Sequence, residues 1–227
     1  MTTNPHPGKL IVFEGLDGSG QTTQAHLLTK WFPEERKQRA YYTKEPSEGP
    51  VGMLLRLALR HRLGASSKQT FGPLDEVTMA LFFAADRADH LHNEIIPKLK
   101  DGVHVITDRY YLSSLAYQSV VADYDWIKQI NSHALRPDLT IFLDVLPATC
   151  VKRMQEHRWQ VERYEELRNL ERVRDNYLNS ISKLRDQGER IEIVAGEQTV
   201  EAVQQEIVRL VKQLSAEPLI EQEAAKR

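Results

Sequence analysis

The stretch "FEGLDGSGQTTQ" (13–24) decides how the chain is read. It continues the β-branched run "KLIVFE" (9–14), which reads as a buried strand, and leads into a helix beginning near Gly20. Gly15, Gly20 and Thr22 fit the phosphate-loop pattern G-x-x-x-x-G-K-[ST], but Gln21 stands where the lysine belongs. A glycine-rich turn between strand and helix lets backbone N–H groups and a helix N-terminus hold an anion. The glycines permit a tight turn and close approach of a ligand. Thr22 offers a hydroxyl to Mg²⁺. The plainer alternative is a strand-to-helix turn that binds nothing.

Four more short apolar runs read as strands: "AYYTKE" (40–45), "VHVITD" (103–108), "LTIFLDV" (139–145) and "RIEIVA" (190–195). Helical periodicity fills the intervals. One segment sets Val77, Leu81, Ala84, Ala88, Leu91, Ile95 and Leu99 on one face. A second aligns Leu167, Leu170, Tyr177, Ile181 and Leu184, and a third aligns Val200, Val203, Ile207, Leu210 and Leu214. Alternating strand and helix predicts a parallel sheet covered on both faces. The 227 residues suit one α/β domain, here 1–214, with a polar tail at 215–227.

Bulk properties narrow the partners. The 30 basic and 32 acidic residues leave a net charge of −2, so nothing global favours nucleic acid or a membrane surface. The single cysteine, Cys150, excludes an internal disulfide and reads as a small core residue. The start "MTTNPHPGK" lacks the apolar stretch of a signal peptide, and no run reaches the roughly 18 apolar residues of a membrane span. A soluble cytoplasmic protein is expected.

The segment "DRYYLSSLAYQ" (108–118) leaves the third strand at its C-terminal end, where open α/β sheets bind ligands. Asp108 can stand near a metal or its waters, and Arg109 can grip a phosphate; a local Asp–Arg ion pair is the alternative. Phe83 and Arg87 lie one helical turn apart, about 100° off the apolar stripe of their helix, beside Glu76, His90 and Glu94. The ring can face a flat base and the guanidinium an edge carbonyl; a second buried helix face is the alternative. His90 and His92 are two apart on a helix and do not face one another as a zinc pair.

Together these segments resemble the thymidylate kinases, a branch of the P-loop nucleoside-monophosphate kinases. The resemblance rests on "FEGLDGSGQTTQ", "TKEPSEGPVG" (43–52), "LFFAADRADHL" (81–91), "DRYYLSSLAYQ", "LRPDLTIFLDV" (135–145) and "ERYEELRNLERVRDNY" (162–177), in family order. It implies a three-layer α/β/α fold with a five-stranded parallel sheet and a mobile lid, here about 152–166. It implies transfer of the γ-phosphoryl group of ATP to dTMP with Mg²⁺, in a homodimer. Gly15, Leu16, Asp17, Gly18, Ser19, Gly20, Gln21, Thr22 and Thr23 would cradle ATP, with Arg153 beside the adenine. Thr22, and Asp108 through water, would attend the metal. Asp17, Lys44, Phe83, Arg87, Arg109, Ser114, Tyr117 and Gln118 would hold dTMP. Asp17, Asp108 and Arg109 would serve catalysis, joined by the lid arginines Arg158 and Arg163, which on charge pattern alone read as a solvated helix face.

Two other readings stay open at the level of sequence. One is a kinase of the same fold with a different nucleotide acceptor. The other is a nucleotide-binding protein that has lost transfer, a reading that Gln21 sustains.

Overall fold

The computed structural model describes residues 1–60, 63, 74–155 and 163–216. In chain order, the strands are β1 (Thr2–Thr3), β2 (Leu10–Gly15), β3 (Ala40–Lys44), β4 (His104–Asp108), β5 (Leu135–Arg136), β6 (Leu139–Asp144) and β7 (Ile191–Ala195). The helices are α1 (Gln21–Trp31), α2 (Pro50–Leu59), α3 (Glu76–His90), α4 (Ile96–Lys100), α5 (Tyr111–Tyr117), α6 (Tyr124–Ile130), α7 (Pro147–Gln155), α8 (Arg163–Arg185) and α9 (Val200–Ala216). Wide π turns extend α1 through Phe32–Arg36 and join α3 to α4 through Leu91–Ile95.

Five strands form one parallel sheet in the order β3-β4-β2-β6-β7, and β1 pairs in parallel with β5. The alternation of side chains along β2 divides the core. Leu10 and Val12 face a cluster with Leu112, Leu115, Leu170, Val173 and Tyr177, from α5 and α8. Ile11 and Phe13 face the opposite cluster with Ala25, Leu28, Val203 and Ile207, from α1 and α9. Glu14 follows in phase with Leu10 and Val12 and is fully buried. Since the strands are parallel, the segments after β2, β3, β4 and β6 all leave the same edge of the sheet.

The five predicted sheet strands are all present. The long apolar stripe predicted from Val77 to Leu99 is not one face. Leu91, Ile95 and Leu99 are buried, whereas Val77 and Leu81 are about half exposed (51% and 48%). The π turn carries more residues per turn than an α-helix, so the periodic pattern loses its phase there. Along α3 the buried side chains are instead Ala80, Asp86, Arg87 and His90. The polar strip of this helix faces inward.

Candidate active site

The loop after β2 is built for close approach. Gly18 and Gly20 adopt left-handed backbone (φ 83° and 96°), a region that costs other residues energy. Gly20 is the N-cap of α1, with no side-chain cap and no acid in the first turn, so the first N–H groups of the helix are free for an anion. A Cβ on Gly18 would meet the Cys150 carbonyl oxygen at 2.8 Å and Met154 at 3.1 Å. Helix α7 therefore closes over the loop at this point. Arg153 of α7 points back to the carbonyls of Gly18, Ser19 and Gly196 at 3.3–3.4 Å. Leu16 and Ser19 are buried, and Thr23 is exposed.

Gln21 is buried, and its Oε1 finds no hydrogen-bond partner among the described residues. The same holds for Ser19 Oγ and Asp108 Oδ1. Three orphaned polar atoms beside one glycine loop call for a ligand. Thr22 donates its hydroxyl to Asp108 Oδ2. Burial raises the Asp108 carboxyl above its usual range, against the lowering effect of Thr22 and Arg109. This pair of hard oxygens, one of them unpartnered, fits Mg²⁺, which takes few protein ligands and keeps waters and phosphate oxygens.

Arg109 follows β4 with a left-handed backbone (φ 75°), its N–H donating to Phe13 O at 2.9 Å. Its guanidinium divides. Nη2 donates to Asp17 Oδ1 (2.8 Å) and Tyr117 Oη (3.5 Å); Nη1 donates to Ser113 Oγ (3.0 Å) and Tyr177 Oη (3.4 Å). The plane lies over the Tyr117 ring at 5.1 Å. Tyr117 Oη also accepts from the Asp17 N–H at 3.2 Å.

A cleft of about 540 Å³ opens beside these groups, lined by Asp17, Phe83, Arg87, Arg109, Ser114, Tyr117 and Gln118 among others. Arg87 is buried. It donates twice to Glu45 Oε2 (3.0 and 2.7 Å), to Ser114 Oγ (3.2 Å) and to Asn131 Oδ1. Among the described residues, four of the five N–H groups of the guanidinium are thus engaged and one is over. Gln118 is buried with Oε1 unpartnered among the described residues. Lys44 is absent from the cleft lining; it is half exposed and paired with Glu48 at 3.2 Å. Arg158 lies outside the described residues, and Arg163 opens α8 with its side chain outside them. Cys150 is buried, its thiol pushed up to about 11 by burial, as a core residue should be.

Several residues of the site carried no sequence signal that the pattern reading used. Glu45 and Asn131 fix Arg87 from 42 and 44 residues away. Behind them, His90 contacts Thr43 (2.8 Å), Glu94 (3.4 Å) and Glu45 (3.5 Å). Although burial opposes it, this acidic surround raises the imidazole. Glu14 had a readable signal: a carboxylate in phase with the buried face of a strand demands partners. It accepts from Tyr110 N, Ser113 N, Ser113 Oγ and Tyr177 Oη.

Burial lifts the Glu14 carboxyl from 4.5 to about 7, against the hydrogen bonds of Ser113 and the charge of Arg109. The folded chain therefore holds this proton more tightly than the unfolded one. The resulting stabilisation is complete below about pH 4.5 and is lost as pH rises through about 7. The difference is worth roughly 3 kcal/mol. Urea unfolding at about pH 5 and pH 8 should show the wild type losing stability relative to Glu14→Gln by an amount of that order. A pH-independent gap between the two would refute the lifted carboxyl.

The comparisons with known proteins agree with this geometry. The family model described as "Thymidylate kinase" matches residues 13–207. A probable thymidylate kinase of Pyrococcus abyssi is 43% identical over 208 residues, covering 90% of this chain and 96% of the relative. One from Pyrococcus horikoshii is 41% identical with the same coverage. One from Pyrobaculum calidifontis is 45% identical over 170 residues, 74% of this chain and 80% of the relative. The chain belongs to the thymidylate kinase family.

Proposed function

We propose that the chain transfers the γ-phosphoryl group of ATP to dTMP, giving dTDP and ADP, with ATP on the glycine loop and dTMP in the cleft. The observation that carries this reading is the polar pattern of the cleft. Arg87, with one N–H left over, and Gln118, with Oε1 unpartnered among the described residues, line the cavity together with Phe83. A pyrimidine dione offers a carbonyl acceptor and an N–H donor on adjacent edge atoms, and a flat face for stacking. Ser114 supports Arg87 in this role. Tyr117 packs where a 2′-hydroxyl would stand and disfavours ribonucleotides. Arg109 Nη2 exchanges Asp17 for the acceptor phosphate, and Lys44 reaches that phosphate only by leaving Glu48.

Phosphoryl transfer asks a protein for alignment and charge neutralisation. A dTMP phosphate oxygen attacks the γ-phosphorus in line, and ADP leaves. The loop from Gly15 to Thr23 holds the donor phosphates, with Arg153 on the adenine side. Thr22, and Asp108 through water, would hold Mg²⁺, which supplies charge neutralisation at the phosphate oxygens. The segment 152–166 acts as lid, and Arg158 and Arg163 are its candidate cations. Residues 1–214 act as one cytoplasmic kinase domain.

The protein works as a homodimer through α2 and α3. These helices pack on one another and expose Met53, Leu54, Leu57, Val77 and Leu81. So many large apolar side chains on two adjoining helices mark an association surface. Sedimentation should give a dimer, and Leu81→Glu should shift it to monomer. A monomeric wild type removes the proposal.

Four outcomes are expected from kinetics and binding. In a coupled ADP-release assay dTMP should support turnover, and Phe83→Ala should weaken dTMP binding by about 1–3 kcal/mol, the worth of one stacked base, while sparing ATP. Equal use of CMP or thymidine would point to another acceptor. Gln21→Lys should keep or raise turnover, since a missing well-aimed charge costs about 2.7–4 kcal/mol by analogy with an oxyanion-hole donor. Loss of Arg158 or Arg163 should hurt more with Gln21 than with lysine, a coupling read by a double-mutant cycle. A wild type that binds both nucleotides yet releases no ADP, while Gln21→Lys does release it, would be a binding protein, not a kinase.

A further inference from the structure

We propose that Glu14 is a positioning residue for the acceptor phosphate: its buried carboxylate fixes helix α5 and the Arg109 guanidinium together, through Ser113 and Tyr177. The inference rests on the assignment of the cleft to dTMP. Glu14 is not among the residues that line the cleft; it acts through its neighbours.

One carboxylate oxygen governs the helix. Glu14 Oε1 accepts from Tyr110 N at 2.9 Å and Ser113 N at 3.2 Å. Tyr110 is the N-cap of α5 and provides no side-chain cap. Glu14 thus supplies from the central strand the acceptor that a serine or aspartate usually supplies at this position. Helix α5 then presents Ser113, Ser114 and Tyr117 to the cleft, with Gln118 following.

The other oxygen governs Arg109. Glu14 Oε2 accepts from Ser113 Oγ at 2.5 Å and Tyr177 Oη at 3.1 Å. Those are the two hydroxyls to which Arg109 Nη1 donates. A hydroxyl has one hydrogen. With Glu14 ionised, both hydroxyls can send theirs to the carboxylate and turn lone pairs toward Nη1. The inner half of the guanidinium is then anchored, and the outer half, Nη2, is left to exchange Asp17 for phosphate. Protonating Glu14 adds a donor where four donors already converge, and one hydroxyl must turn away. The charged and titratable groups around this carboxyl are Arg109 after β4 and Tyr177 of α8; Tyr117 of α5 and Asp17 of the loop act on Arg109 from the far side. Burial raises both tyrosines, so they stay protonated, whereas Glu14 changes charge near neutral pH.

The test is steady-state kinetics between about pH 6 and 9 for wild type, Glu14→Gln and Tyr177→Phe, with melting temperatures. Glutamine keeps the shape and one acceptor but sets an N–H against the two hydroxyls. Glu14→Gln should lower kcat/KM for dTMP on the order of 100-fold, the scale of a small misplacement. KM for ATP should stay within about two-fold, and the activity limb near pH 7 should lose its Glu14 component. The phosphate of dTMP itself titrates near pH 6, so the difference between variant and wild type is the readout. Tyr177→Phe should show part of the same selective loss. Unchanged dTMP kinetics and pH limb in Glu14→Gln overturn the proposal, as does an equal loss for ATP and dTMP tracking a lower melting temperature. Should Glu14→Gln fail to fold, Tyr177→Phe decides alone: a selective dTMP loss supports the proposal and wild-type kinetics overturn it. A wild type that turns over no dTMP sinks the functional reading instead. Binding of inorganic phosphate then decides the relay, weakened by Glu14→Gln if it stands and unchanged if it does not.

Discussion

Two backbone hydrogen bonds at the edge of the sheet hold the site together. The Arg109 N–H donates to Phe13 O, and the Glu45 N–H donates to Asp108 O. They extend the parallel registers that set Phe13 opposite Asp108 and Lys44 opposite Asp108. By this stitching the glycine loop, the Asp108–Arg109 corner and the Glu45–Pro46 corner leave the sheet at one level. A slip of one residue in β4 would turn Asp108 to the other face of the sheet and carry Arg109 away from Asp17. The sheet register therefore fixes the distance between the glycine loop and the cleft before any side chain contributes.

On this frame the cleft is organised by charges already paired. Arg87 lies against Glu45, and Arg109 against Asp17. A buried pair such as Arg87–Glu45 repays its desolvation poorly as a stabiliser, whereas Asp17 in the other pair is exposed. Their value here is orientation: a guanidinium with four N–H groups spoken for cannot rotate, so the remaining one has a fixed aim. Polar groups set before the ligand arrives need no reorganisation during reaction.

Much of this was legible in the sequence. Buried parallel strands are nearly continuous apolar runs, so the five strands stood out, and the glycine loop marked the functional edge. The inward strip of Phe83 and Arg87 was visible on a helical wheel, but the apolar stripe beside it misled. Val77 and Leu81 are exposed among the described residues, and the π turn at Leu91–Ile95 breaks the period on which the reading depended. Glu45, Asn131 and Tyr177 act across 42 to 163 residues of chain, and no local pattern encodes such meetings. Glu14 is different: its phase with Leu10 and Val12 along the strand was a signal that the reading of the strand did not use.

The packing of Gly18 limits how this active site can change by descent. An arginine at that position would put a cation directly in the loop, the charge that Gln21 does not supply. Yet its Cβ would strike the Cys150 carbonyl, and the backbone there is left-handed. Backbone cannot yield as a flexible side chain can, so the start of α7 would have to retreat first. The cation of the loop and the seat of α7 are therefore not independent characters. A lineage that places a cation in the loop has to pass through changes in α7, and the order of those substitutions is constrained.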